Sequence, residues 1–166
     1  HHLESIFGAY AAHIYIDDLC ENELKEMALE RTLFTKLVLV TKGNIKMQVL
    51  QQGAETDVPE RMLIPSELLV ISPKHVIAFS DMSADFEAEA ILVDEEISAD
   101  VVYQLSADKQ KAALDIFHMI RDIVRHQHIY KVEMIQSMVN VLKLLVSELP
   151  YENVSVTRDL RHKKEV

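Results

Sequence analysis

With one cysteine, Cys20, in 166 residues, the chain cannot form an internal disulfide, a thiolate metal site or a CxxC redox pair. Its fold must therefore be held by packing. Cys20 sits among Asp17, Asp18 and Glu21, and neighbouring negative charge weakens a thiol as a nucleophile. No apolar run is long enough to cross a bilayer and no convincing secretory signal is present, so the chain reads as cytoplasmic, with no membrane partner. Glycine and proline are also scarce, at three and four residues. Gly8, Gly43, Gly53, Pro59, Pro65 and Pro73 lie within the first 73 positions, and Pro150 alone lies beyond. Breakers punctuate short strands and their absence permits long helices, so the front reads as β and the back as α.

Positive charge is scarce in the front part. Residues 1–100 carry a net −12 and residues 101–166 a net +2, within a total of −10. The acidic part would repel a phosphate backbone, which excludes most of the chain as a nucleic-acid-binding surface. The last ten residues (TRDLRHKKEV) instead hold Arg158, Arg161, Lys163 and Lys164, a basic segment that reads as the start of a linker. His1 and His2 resemble the remnant of a purification tag and are given no function.

What the chain does have is apolar material, 49% of its residues, enough for the core of one domain. Residues 34–41 (FTKLVLVT) are rich in β-branched side chains, and residues 45–50 alternate Ile45, Met47 and Val49 with Lys46 and Gln48. With Lys42-Gly43-Asn44 between them, these runs predict a hairpin with one wet face. Residues 11–17, 68–72, 76–82 and 86–94 are further strand candidates, whereas residues 18–30 are ambiguous between a helix and an irregular connection. Many short strands argue for a closed or sandwich-like antiparallel unit that removes sheet edges. Ser-Ala-Asp recurs at 83, 98 and 106 with spacing too irregular for a repeat, and Ser98 and Ser106 read as helix N-caps.

From Ser106 the period changes. Ala113, Ile116, Phe117, Ile120, Ile123 and Val124 share a helical face, which predicts a helix over residues 107–126. A second helix is expected from about Tyr130 to Leu149, ended by Pro150. In it Ile135, Met138, Leu142, Leu145 and Leu149 step by the spacing of a coiled-coil seam, and further apolar residues widen the stripe. One contact to the rest of the domain does not require so much, so these five residues are expected to form a homodimer interface. Deep burial in the same domain is the other reading of that stripe.

Residues 63–79 (LIPSELLVISPKHVIAF), between a β-rich unit and two helices, carry a pattern of the form Pro-Gly-Asp-hydrophobic-x-Ile-x-Pro, here Pro65-Ser66-Glu67-Leu68 to Ile71-Ser72-Pro73. In order and length, residues 10–166 resemble the N-terminal regulatory domain of AraC-family transcription factors. Ser66 stands where the family has glycine, which puts the turn's shape in question. The resemblance implies an α+β fold: an antiparallel cupin-like barrel, or double-stranded β-helix, followed by two long C-terminal helices. It divides the chain into a sensor region over 1–96, a helical dimerisation region over 97–150 and, over 151–166, the start of a linker to a DNA-binding part. It further implies a small-molecule effector, no enzymatic activity and no cofactor. DNA contact would belong to a helix-turn-helix part, whose pattern these residues lack.

Cupins also include metal-dependent enzymes, which use a His-x-His pair, an acid and a later histidine. The strand that should hold the pair reads Phe34-Thr35-Lys36-Leu37, and the late position falls nearest Ile77, so no metal site is expected. A ligand-free dimerisation module is a third reading. Outside this frame, His126 and His128 are expected in a solvent-exposed turn, and Glu87 and Glu89 on an acidic outer face. For an effector, strand alternation gives Met47, His75, Ile77 and Phe79 a shared inward phase, with Tyr15, Arg31 and Lys36 as polar residues at the mouth or wall. Tyr15, Arg31, Lys36, Met47, His75 and Phe79 are thus the effector-binding candidates.

Overall fold

A computed structural model of the chain describes residues 9–15 as backbone, and residues 35–50, 59–73, 75–93 and 100–155. Nine strands and two helices are formed among them: β1 (Ala9–Tyr15), β2 (Thr35–Lys42), β3 (Ile45–Leu50), β4 (Arg61–Leu63), β5 (Glu67–Ile71), β6 (Val76–Ser80), β7 (Glu87–Val93), β8 (Val101–Gln104), α1 (Ala107–Arg125), α2 (Lys131–Val146) and β9 (Tyr151–Asn153). The strands make a six-stranded sheet in the order β1-β7-β2-β5-β8-β9 and a three-stranded sheet in the order β4-β3-β6. Every strand pairing among the described residues is antiparallel. The α+β class holds. The closed barrel is not found, because among the described residues no strand pairing joins the two sheets.

The expected hairpin between residues 34–41 and 45–50 is also replaced. β2 pairs with β5 and β7 in one sheet, while β3 pairs with β4 and β6 in the other. The reason lies in β2 itself, whose residues from Thr35 to Val40 are all buried. Val38 and Val40 pack between the sheets, and Leu37 and Leu39 pack toward the helices. A strand apolar on both faces belongs in the middle of a sheet, with both edges already used. Gly43 makes the crossover possible: its φ is +68°, and a Cβ there would lie 2.3 Å from Ser83 Oγ and 2.8 Å from Phe86 Cα.

Two apolar layers result. The first, between the sheets, holds Val38, Val40, Ile45, Met47, Val49, Leu69, Ile71 and Phe86 among others. The second joins the other face of the six-stranded sheet to Ala113, Phe117, Ile120, Ile135, Val139 and Leu142 of the helices. Each fully buried aliphatic side chain contributes about 1.5–3 kcal/mol, so both layers are substantial. The α1 prediction holds to within a residue, and Ser106 caps it by accepting the Lys109 amide at 3.3 Å. α2 ends at Val146, short of Leu149. Residues 18–30 and Ser98 lie outside the described residues.

Three short strands carry no clear sequence signal. β4 has three residues in a stretch of the sensor region given no strand, β8 has four within the region assigned to helices, and β9 has three within the expected linker. Residues 151–153, where the linker is expected to begin, pair with β8 as β9.

Candidate functional site

On β2 the residues of even number face the other sheet, and Lys36 continues that phase beyond Val38 and Val40. Lys36 is 0% exposed. A buried ammonium is expensive unless polar groups surround it. Its Nζ donates to the His75 carbonyl at 3.3 Å. His75 stands in the short connection between β5 and β6, where its amide donates to Ser72 O. Its Nδ1 meets the carboxylate of Asp100 and lies 3.3 Å from Ser72 Oγ. Asp100 is buried in front of β8, accepts the Ser72 amide at 2.9 Å, and its carbonyl accepts the Val154 amide.

The result is a polar group at one end of the sandwich, fed by β2, the β5–β6 connection and the start of β8. The Nδ1 contact with Asp100 fixes the orientation of the imidazole ring. A cation and an oriented imidazole are suited to holding a polar or anionic group. Metal ligation is a different matter: among the described residues, no three His, Cys, Asp or Glu side chains converge.

Of the six effector candidates, Lys36 and His75 are brought into contact. Met47 and Phe79 are register partners across β3 and β6 in the inter-sheet core, Met47 buried and Phe79 partly so. Tyr15 closes β1 opposite Glu87, and its side chain lies outside the described residues, as does Arg31. Asp100 and Ser72 were not foreseen. Asp100 ends a Ser-Ala-Asp triplet that resembles a helix cap, and no local signal distinguishes it from the copy at Ser106.

A second polar cluster closes the far end of β5. Glu67 is buried and bound by both Arg61 terminal nitrogens at 2.8 and 2.7 Å, by the Ile64 amide at 3.0 Å and by Gln104 Nε2 at 2.6 Å. Arg61 Nε also reaches Glu152 at 3.0 Å. Burial alone would raise the Glu67 carboxyl, but Arg61, Gln104 and the Ile64 amide outweigh it and hold the group below the usual carboxylate range. The partner side, Arg61, is raised by the same contact.

Glu89 corrects a further expectation. It is 2% exposed rather than part of a wet acidic face. Its side chain points with Ile91 and Val93 toward the helices, where Arg121 Nη1 donates to it at 2.7 Å and His118 Nε2 lies 3.2 Å away. Burial, then the charge of Arg121, holds His118 below the ordinary imidazole value, so its contact is that of a neutral ring. His126 and His128 are exposed, as expected, and His126 Nδ1 contacts Asp122 O at 2.7 Å.

The five seam residues, four on α2 and Leu149 just beyond its end, face their own molecule. Ile135 and Leu142 are buried in the sheet–helix layer, and Met138, Leu145 and Leu149 are half-buried against it. The apolar side chains α2 leaves exposed are Val141 at 44% and Leu144 at 65%, with Tyr130 exposed just before it.

Two antiparallel sheets backed by a helical pair, with a buried lysine at one end, define the class of structure. Among similar solved structures is the AraC-like transcriptional activator CuxR, 10% identical, covering 95% of this chain and 56% of that one, with a TM-score of 0.44. The coconut allergen cocosin is 11% identical over 75% of this chain and 45% of that one, TM-score 0.33. Bacillus subtilis oxalate decarboxylase is 13% identical over 97% of this chain and 42% of that one, TM-score 0.33. The chain thus spans about half the length of these proteins. No family model and no curated protein matches it.

Proposed function

We propose that this chain is the ligand-sensing and dimerisation part of an AraC-type transcription regulator, with DNA contacted by a helix-turn-helix part that its 166 residues do not contain. The observation that carries the reading is Lys36, a charged side chain fully buried at an inward strand position and set beside His75, Asp100 and Ser72. A purely structural core has no need of a cation there, whereas an effector site needs a few polar anchors on apolar walls. The turn at residues 65–67 supports the same reading, since Ser66 adopts φ +73°, the backbone conformation that the family's glycine supplies. Signalling then requires the effector to prefer one arrangement of sheets and helices over another.

Joining the chain to a DNA-binding module that must pair to repress a reporter tests both halves of the proposal. The fusion is expected to repress, and Lys36→Met, at equal protein level, to change the output severalfold. A silent fusion, or a Lys36→Met fusion indistinguishable from the parent, would contradict it.

A further inference from the structure

The sheet–helix layer holds a cavity of about 200 Å³ on the face of β2 opposite to the Lys36 phase, which separates it from the polar group at the end of the sandwich. Leu37, Val70 and Ile91 of the sheet floor it, and Val139, Leu142 and Val146 of α2 roof it. Val70, Val139 and Val146 are its short walls, each one carbon smaller than the Leu or Ile that would narrow the gap. At the end of α2 the cavity is bordered by Lys143 and Ser147, both exposed, which gives a small molecule a way in from solvent. The polar groups of the lining offer such a molecule no charge to pair with. Lys143 already has an interaction partner, and Ser147 Oγ donates to Leu144 O at 2.7 Å. Tyr103, half-buried beside Tyr151, keeps its hydroxyl protonated, since burial pushes it up.

Protein interiors seldom leave apolar voids larger than a water molecule, and an apolar cavity of roughly 150 Å³ stays dry and accepts benzene. The space here is somewhat larger. We propose that this cavity is a binding site for an uncharged, hydrocarbon-like molecule of a single ring with a short alkyl arm, held between the sheet and α2 by apolar contact. A carboxylate or a sugar is selected against, because its charge or hydroxyls would lie unpaired against Leu37, Val70 and Ile91. Lys36 and His75 take no part, so this site stands or falls independently of the regulatory reading.

Titration calorimetry of the chain with ethylbenzene, and with phenylacetate as a charged counterpart of similar size, measures the selectivity. Isotope-filtered nuclear Overhauser spectra of the chain saturated with ethylbenzene give the location. Ethylbenzene is expected to bind saturably at one site, about tenfold or more tighter than phenylacetate, with ring contacts to the methyls of Val70, Val139 and Leu142. Val139→Phe, which fills the roof, should lower the ethylbenzene affinity roughly tenfold or more, whereas Lys143→Met should leave it unchanged. Absence of saturable binding, equal affinities for the two compounds, full affinity in a folded Val139→Phe variant, or loss of ethylbenzene binding in Lys143→Met overturns the proposal. Ring contacts confined to the inter-sheet methyls of Val38 and Val49, or to exposed Val141 and Leu144, overturn it as well. Should Val139→Phe fail to fold, the Overhauser contacts in the parent decide the location alone.

Discussion

At the scale of single residues, Ser66 shows how a sequence departure can leave geometry intact. Its φ of +73° lies in the left-handed region, which disfavours residues bearing a Cβ by about 1–2 kcal/mol. Three hydrogen bonds oppose that strain: Ser66 N to Val40 O at 3.2 Å, Leu105 N to Ser66 O at 3.0 Å, and Ser66 Oγ to Gln110 Oε1 at 2.6 Å. Two of them use the backbone and survive substitution by alanine or glycine. Ser66→Ala keeps the strain and loses the side-chain bond, while Ser66→Gly loses the bond and the strain together. Chemical denaturation should therefore find Ser66→Ala destabilised by about 1 kcal/mol, and Ser66→Gly more stable than Ser66→Ala by a similar amount. Equal stabilities for the two variants would show that the turn is not held against its preference. Lys36 was legible only as a polar residue at the mouth or wall; its full burial follows from β2 lying in the middle of a sheet, where its phase with Val38 and Val40 turns it inward. Asp100 was not, since its importance comes from Ser72 and His75, 28 and 25 residues away.

At the scale of elements, Arg61 and Glu67 tie the two sheets together. β4 belongs to the small sheet and β5 to the large one, and Gln104 of β8 and Glu152 of β9 extend the tie along the large sheet's edge. The folded Glu67 carboxyl lies below its unfolded value, so its stabilisation is present above an unfolded pKa near 4.3 and is lost as pH falls through the lower folded value. Melting temperature followed from pH 6 downward should decline more gently in Glu67→Gln than in the parent, from a lower starting point. A parallel decline in both proteins would remove Glu67 from the acid response. Long periodic elements were the legible ones: α1 and the alternating strand β3 match their sequence ranges closely. The hairpin was misread because β2 and β3 look alike by composition. The two buried faces of β2 are a property of its neighbours, and no turn residue reports which sheet a following strand will join. The three- and four-residue strands β4, β8 and β9 are too short to carry a period.

At the scale of the whole molecule, the apolar surplus of α2 divides differently from its heptad spacing. Ile135 and Leu142 are absorbed by the molecule's own sheet, so an aspartate at either would place a charge in the core and unfold the chain. Val141 and Leu144 are the apolar positions on α2 where charge can be added without touching that layer. The width of the stripe was legible, but its orientation is set by the helix's packing on Leu37, Val70 and Ile91, which no spacing along α2 encodes. A regulator that holds two DNA-reading units at fixed separation needs a self-complementary surface. In the proposed regulator, the exposed flank of α2 with Val141 and Leu144 would serve as that surface. Sedimentation equilibrium of the parent and of the Val141→Asp, Leu144→Asp double variant tests it most directly, with circular dichroism confirming an unchanged fold. A dimeric parent and a monomeric variant are expected; a monomeric parent, or a variant that stays dimeric, would remove the α2 flank as a dimer interface.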